Sequence, residues 1–191
     1  METITSMNTV SVSLSQLSGA SSALQGYLDK YGSRLAPKNQ KSLKDILSFA
    51  KTLEKFLQTE RAASGPVDVM DMLIETDLYK HDFRKTHEFF ERADIVRKVN
   101  GYVQSQIEKE AAQQGKKPQN FGESRNVLYA IKEYIRVLAE RPEDGKIIVE
   151  RDEKGQVSGM KYLSLNPTSC LKRIMDQVKS LILISGTLEP S

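Results

Sequence analysis

The residues that could form a metal or catalytic centre are few and poorly spaced. The two histidines, His81 and His87, lie six positions apart, with no His-Glu-x-x-His pattern and no cysteine nearby. Six residues is a poor same-face spacing on a helix, so we expect ordinary surface histidines rather than metal ligands. The single Cys170 falls in a predicted amphipathic helix without an activating partner, which indicates a small core residue rather than a nucleophile.

The acidic residues and the search for nucleotide-binding and nucleophile motifs do not indicate an active site either. Asp68 with Asp71, or Glu88 with Glu91, could pair as acid and base, but such pairs arise by chance among 25 acidic residues. The sequence has no phosphate-binding loop, no dinucleotide-binding glycine loop and no serine-nucleophile elbow. It therefore contains no self-contained catalytic centre.

A basic stripe is the candidate for binding. Lys41, Lys44, Lys51 and Lys55 fall within about 80° on one side of a predicted helix, opposite its apolar stripe. Such a stripe either contacts nucleic-acid phosphates or faces solvent, and the sequence leaves both interpretations open. The net charge is only +3, so we expect any DNA binding by the chain alone to be weak and salt-sensitive.

Composition describes a polar chain with a modest core. The 191 residues suffice for one domain, or for one domain plus a fragment of another. Hydrophobic residues make up 39% and charged residues 28%, and no apolar run approaches the length of a membrane span. The first residues do not resemble a signal peptide, and a single cysteine excludes an internal disulfide. These features favour an intracellular, reducing compartment.

Hydrophobic periodicity predicts a helical body from residue 13 to about 140. A first helix is expected to end near Gly32, and a second to begin near Pro37. Further helical spacing occurs over 95–107 and 127–138, whereas the segment 67–92 has no clean stripe. We expect a polar loop over 111–118 and a helix end at Arg141 and Pro142.

The pattern changes to strands after Gly145. Residues 146–151 and 160–165 favour a β-hairpin, because turn residues lie between them. A helix is expected after Pro167, and the apolar run 181–184 is typical of a strand buried on both faces of a sheet. The predicted fold class is therefore mainly α with a small α/β tail.

Both ends of the chain resemble one family. The stretches Glu2-Thr-Ile-Thr-Ser-Met, Val10-Ser-Val-Ser and Tyr31-Gly-Ser-Arg-Leu look like the start of the arch insertion of XPD-like helicases. These are iron–sulphur DNA helicases of superfamily 2, and the match is closest to the chromosome-cohesion branch, that of the Warsaw breakage syndrome helicase. The run Ser180-Leu-Ile-Leu-Ile-Ser-Gly-Thr-Leu-Glu-Pro resembles the approach to motif III. Cohesion-branch members carry Gly-Gly-Thr-Met in motif III, whereas this chain has Ser-Gly-Thr-Leu from Ser185, a form closer to XPD itself.

The resemblance covers nearly the whole chain and implies its domain organisation. Residues 1–12 would follow motif II in motor domain 1, and 13–142 would form a helical arch domain. Residues 143–191 would return into a RecA-like motor domain and end in motif III. The motif III residues Ser185, Gly186 and Thr187 would then couple ATP hydrolysis to DNA movement.

The resemblance also implies an activity for the parent protein. It would be an ATP-dependent 5′-to-3′ DNA helicase that uses ATP, Mg²⁺ and a 4Fe–4S cluster, none of them bound by residues of this chain. Its implied partners are single-stranded DNA, the rest of the helicase polypeptide, and replication or cohesion proteins, with no membrane. Nuclear localisation is implied, and this chain alone is expected to be inactive.

Two other interpretations remain open at this stage. The chain would be a stand-alone, non-catalytic helical protein-interaction module if its ends matched the family by chance. A small enzyme of unrecognised type is the third interpretation. The interaction module explains the helical body but not the terminal strand or the Ser-Gly-Thr step.

Overall fold

The computed structural model describes residues 9–59, 65–114, 127–140 and 145–164, together with Lys179. These residues form a helical body and one small sheet. The helices are α1 (Leu14–Tyr31), α2 (Pro37–Phe56), α3 (Val69–Glu75), α4 (Phe83–Ala93), α5 (Ile95–Gln114) and α6 (Val127–Glu140). The strands are β1 (Thr9–Ser13), β2 (Val67–Asp68), β3 (Gly145–Arg151) and β4 (Val157–Ser164). Short 3-10 turns cover Gly32–Arg34 and Leu78–Lys80.

The predicted class is confirmed over the described residues. They are mainly helical, and β3 and β4 form the expected hairpin. The helix expected after Pro167 and the strand expected over 181–184 lie outside the described residues. The domain boundaries proposed from the sequence stay a prediction.

The ends of α1 and α2 follow from their capping residues. The backbone N–H of Gln16 donates to Ser13 Oγ at 3.0 Å, and Gln16 Oε1 accepts from the Ser13 N–H at 2.9 Å. This reciprocal pair is a capping box, and it fixes the start of α1 directly after β1. Pro37 occupies the first turn of α2, where its missing N–H costs no hydrogen bond. Both helix boundaries agree with the sequence prediction.

The sheet joins the two ends of the described chain. Its strand order is β1-β4-β3-β2, and every neighbouring pair is antiparallel. In the first pair Val12 lies opposite Met160, and both side chains are buried. The sequence predicted only the central hairpin, so β1 and β2 are additions that the structure makes.

Gly159 permits β1 to approach β4. A Cβ placed on Gly159 would lie 2.6 Å from the Val12 carbonyl oxygen and 2.8 Å from Ser13 Cα. Both atoms belong to the backbone, so neither can rotate away as a side chain could. A side chain at this position would therefore push the two strands apart.

One continuous cluster of buried side chains holds the helices and the sheet together. Helix α1 packs on α2, α5 and α6, and α4 packs on α2, α5 and α6. Strand β1 also contacts α6, which places the sheet against the helical body. In α2 the inward residues Leu43, Ile46 and Leu53 are completely buried, as their spacing predicted.

Two segments differ from the sequence prediction. The unassigned region 67–92 contains β2, α3, a 3-10 turn and most of α4, divided by the left-handed backbone of Asp77. Strand β2 and helix α3 are too short to give a clear stripe, whereas α4 buries Phe83, Thr86, Phe89 and Phe90 at helical spacing, a stripe that the sequence prediction missed. The loop expected from residue 111 is wrong at its start, because α5 continues to Gln114. The alanines and glutamines at 111–114 are good helix formers, but the polar character of 111–118 as a whole indicated a loop.

Candidate nucleic-acid interface

Helix α2 presents one face to the core and the opposite face to solvent. Its outward side carries Lys41, Lys44, Lys51 and Lys55, all exposed, and we call these four residues the lysine face. The four positions follow a spacing of three, seven and four residues, which keeps them on one side of the helix. The sequence prediction that these lysines share a face is therefore confirmed as a matter of geometry, and their role remains a prediction.

The lysine face is positively charged, and none of its lysines forms an ion pair with a described residue. Among the residues that the structure describes, no carboxylate forms an ion pair with any of its four ammonium groups. The acids of the same helix, Asp45 and Glu54, are partly buried and lie outside the 80° sector that the lysines occupy. The face thus carries four positive charges without an acid among them.

A shallow groove runs along this face. Its volume is about 350 Å³, and its walls include the side chains of Lys44, Lys51 and Lys55 with Ser48 between them. From Lys41 to Lys55 the helix rises about 21 Å, at ~1.5 Å per residue. A strand of nucleic acid could place several phosphates along that length. The charge and length of this face are those that a polyanion would require.

His81 packs against α2 and the start of α4. His81 Nε2 and Thr86 Oγ1 lie 2.8 Å apart, and the ring of His81 stacks on Phe49 with centroids 6.0 Å apart. Burial lowers the pKa of His81, although the carboxylates of Asp45 and Asp82 act in the opposite direction. His81 is therefore partly buried between α2 and α4 rather than fully exposed.

One carboxylate from each pair noted in the sequence forms an ion pair with a lysine of another element. Asp68 forms an ion pair with Lys146 at 2.8 Å, which links β2 to β3. Glu91 pairs with Lys132 at 2.7 Å across α4 and α6, and this ammonium lowers the pKa of the Glu91 carboxyl. Within the described ranges no group of three or more histidine, cysteine or acidic side chains is arranged to hold a metal ion.

The predicted motif III residues cannot be placed. Ser185, Gly186 and Thr187 lie outside the described residues, as does Cys170. Across the described part of the chain, no helix is both long enough and apolar enough to cross a membrane.

Two groups of side chains were not predicted from the sequence. Tyr27, Tyr31 and Tyr102 form a ring cluster with centroids 5.0 to 6.0 Å apart, and the Lys30 ammonium lies 5.2 Å from the Tyr31 centroid. Only the spacing of Tyr27 and Tyr31 hinted at this cluster, because Tyr102 comes from a distant helix. The second feature is a group of exposed apolar side chains in and after α3.

In a comparison with known proteins, the whole chain is similar to ATP-dependent DNA helicases. An ATP-dependent DNA helicase CHL1 from Eremothecium gossypii is 26% identical over 191 residues, covering 100% of this chain and 23% of the relative. The helicase of the same name from Candida albicans is 27% identical over 201 aligned residues, covering 100% and 24%. That from Aspergillus niger is 26% identical over 194 aligned residues, covering 100% and 21%.

The other two comparisons gave no match. No protein-family model matches the chain, and no solved structure is similar to it. The chain spans about a quarter of the length of the curated relatives it matches. The resemblance to XPD-like helicases inferred from the two ends is confirmed. From its first residue to its last, this chain is similar to one segment of the ATP-dependent DNA helicases CHL1.

Proposed function

We propose that the chain is a segment of an ATP-dependent DNA helicase. The observation that carries the proposal is similarity along all 191 residues to CHL1 helicases, each about four times as long. Similarity without a gap at either end fits a segment of the same enzyme better than an unrelated helical module. The lack of catalytic motifs in the chain is then expected, because those motifs would belong to other segments.

The proposal assigns the described residues to the passage for single-stranded DNA. In this assignment 13–142 form the arch domain, flanked by 1–12 and 143–191 of motor domain 1. The lysine face lines the path and holds phosphates without reading the base sequence. The unpaired lysines and the groove along α2 support this role.

The coupling role falls on motif III. Ser185 and Thr187, on either side of Gly186, would exchange hydrogen-bond partners as nucleotide is hydrolysed. The parent would use ATP and Mg²⁺ and carry a 4Fe–4S cluster, all bound by other parts of the polypeptide. It would unwind DNA in the 5′-to-3′ direction in the nucleus, during replication, repair or sister chromatid cohesion, together with proteins of those processes.

The test uses the complete polypeptide that contains this segment. We expect ATP hydrolysis that single-stranded DNA stimulates, and unwinding of a duplex with a 5′ tail but not of one with a 3′ tail. The 191-residue chain on its own should hydrolyse no ATP, because phosphoryl transfer needs a cradle for the phosphates and its sequence contains no phosphate-binding loop. ATP turnover by the chain alone, abolished by a substitution within it, would contradict the proposal.

A further inference from the structure

Three tyrosines from two helices meet at the surface where α1 packs on α5. We call Tyr27, Tyr31 and Tyr102 the tyrosine cluster. The ring of Tyr102 meets the other two nearly edge-on, at 78° and 83°, with centroids 5.9 and 6.0 Å away. Tyr27 is buried, whereas Tyr31 and Tyr102 are partly exposed. The cluster therefore combines one buried ring with two rings that reach the surface.

Gly26 allows Tyr102 to lie against α1. A Cβ placed on Gly26 would lie 2.6 Å from the Tyr102 hydroxyl oxygen and 3.3 Å from two of its ring carbons. Glycine inside a helix costs stability relative to alanine. A methyl group here would push the Tyr102 ring away from Tyr27 and Tyr31. The arrangement of the cluster thus depends on a position that has no side chain.

Lys30 is the cation that lies over the cluster. Its ammonium is 5.2 Å from the Tyr31 centroid and 5.4 Å from the Tyr102 centroid. The side chain is exposed and forms no ion pair with a described residue. A cation over an exposed ring contributes only about 2- to 5-fold to an equilibrium. Stacking of one nucleic-acid base on an aromatic side chain contributes about 5-fold or more. A base could therefore displace this ammonium, which would remain close enough to contact a phosphate.

The charges around the cluster favour an anionic ligand. Residues 30–44 include five basic residues and no acid, and 98–106, the turns of α5 on either side of Tyr102, contain no acid. Asp29 is the neighbouring acid in α1, and it accepts a hydrogen bond from Gln25 Nε2 at 2.9 Å. A cation-rich surface with aromatic rings within it is typical of sites that bind single-stranded nucleic acid.

The tyrosine cluster lies at the same end of the α1–α2 pair as Lys41. Gly32 directly follows Tyr31, and a Cβ on Gly32 would lie 3.4 Å from Gln40 Nε2. Gln40 therefore reaches from the first turns of α2 to the end of α1. Since Lys41 is the next residue, the lysine face begins beside the cluster. A strand that lies along the lysine face could place a base there.

We propose that the tyrosine cluster is a stacking site for one base of a DNA single strand whose phosphates contact the lysine face. The inference deepens the proposed function and rests on it, since it takes α2 to line the DNA path. Bases of a duplex stack on one another and offer no free face, so this site selects single strands. It reads no sequence, because every base has an aromatic face.

Photo-cross-linking of the complete polypeptide tests the inference directly. The probe is a single-stranded oligonucleotide that carries iododeoxyuridine, which couples to aromatic side chains in contact with the base, and mass spectrometry locates the product. We expect cross-links at Tyr31 or Tyr102. Tyr79 is the matched control, because it is 53% exposed and has the Lys80 ammonium 5.1 Å from its centroid. Cross-links at Tyr79 as frequent as those at the cluster, or none at the cluster, would overturn the inference.

Affinity measurements on variants supply a second test. Tyr31→Leu should lower affinity for a single strand by about 5-fold or more and leave affinity for a duplex unchanged. Tyr31→Phe should keep the affinity, because the ring remains, and Tyr79→Leu should change neither value. An equal loss for single strand and duplex, or no loss in Tyr31→Leu, would overturn the inference. The cross-link needs no variant, so it decides even if Tyr31→Leu fails to fold.

ATP hydrolysis by the unmodified protein separates the two proposals. Hydrolysis that single-stranded DNA stimulates, without a cross-link at the tyrosine cluster, overturns the stacking site alone. Absence of such hydrolysis overturns the proposed function, whatever the pattern of cross-links.

Discussion

Replacing the lysine face with neutral side chains should lower the salt dependence of DNA binding. The perturbation is Lys41, Lys44, Lys51 and Lys55→Gln in the complete polypeptide, which removes four exposed charges. The four lysines span about 21 Å of helix, and at ~3.4 Å per phosphate each has room for a phosphate of its own. The structure therefore permits four separate phosphate contacts.

The magnitude follows from counterion release. Each phosphate contact contributes about −0.7 to the slope of log affinity against log salt for a single strand, so four contacts contribute about −2.8. Over a rise from ~50 to ~200 mM salt, this part of the slope amounts to a loss of about 50-fold in affinity. The variant should lose that part of the slope and bind more weakly at low salt. Its stability should change by less than about 0.5 kcal/mol, because the replaced side chains are exposed and unpaired.

The assay is fluorescence anisotropy of a labelled single-stranded oligonucleotide over a salt series. A matched control removes the same net charge elsewhere, by replacing the exposed basic residues Arg84, Arg92, Lys109 and Lys154 with Gln. We expect the control to keep the slope of the unmodified protein. If both variants flatten the slope equally, only overall charge matters; if the lysine-face variant keeps the full slope, the face merely contacts solvent. Either result would refute the reasoning.

Three further predictions concern coupling, the sheet and pH. Thr187→Ala in the complete protein should lower the rate of unwinding much more than that of basal ATP hydrolysis, because polar groups left unpaired cost about 1–3 kcal/mol. A fall in melting temperature that accounts for the lost unwinding would indicate a structural role instead. Gly159→Ala should destabilise the protein by about 1–3 kcal/mol, because the added methyl group clashes with β1. Gly101→Ala, in open space within α5, should instead stabilise it by about 0.5–1 kcal/mol. Urea unfolding measures both changes, and equal effects would contradict the clash. Burial lowers the pKa of His81 in the folded protein below its unfolded-state value of 6.5. The stabilisation that neutral His81 gives to the folded protein is therefore complete above pH 6.5 and is lost as pH falls through the lower, folded-state pKa. The free energy of unfolding should therefore decline below pH 6.5, and less steeply in His81→Gln; parallel pH profiles for the two proteins would refute this.

The elements that the sequence predicted are those whose pattern repeats over several turns. The apolar stripe of α2 fixed both its buried face and the outward position of the lysines. Strand β1 was missed although its five residues alternate between polar and apolar side chains with the period of a strand, because the stretch is short. Its pairing depends on β4, which lies about 150 residues further along the chain. No local pattern could reveal such a partner.

Contacts between distant residues also limited prediction of the surface. The cluster of Tyr31 with Tyr102 depends on how α1 packs on α5, and the burial of His81 depends on Phe49 from α2. Function came from resemblance at the two ends, since the residues offered no catalytic constellation. The lysine face is the part of the candidate site that spacing alone located.

The pairing of β1 with β4 has a consequence for folding. Val12 and Met160 are partners across a loop of 148 residues, so this part of the sheet has a high contact order and should form late. During synthesis β1 emerges early, and its partner emerges only after the whole helical body. Throughout that interval its backbone N–H and C=O groups form an open edge that another chain could pair with. The hydroxyl side chains of Thr9, Ser11 and Ser13 make β1 a poor template for aggregation before it pairs with β4.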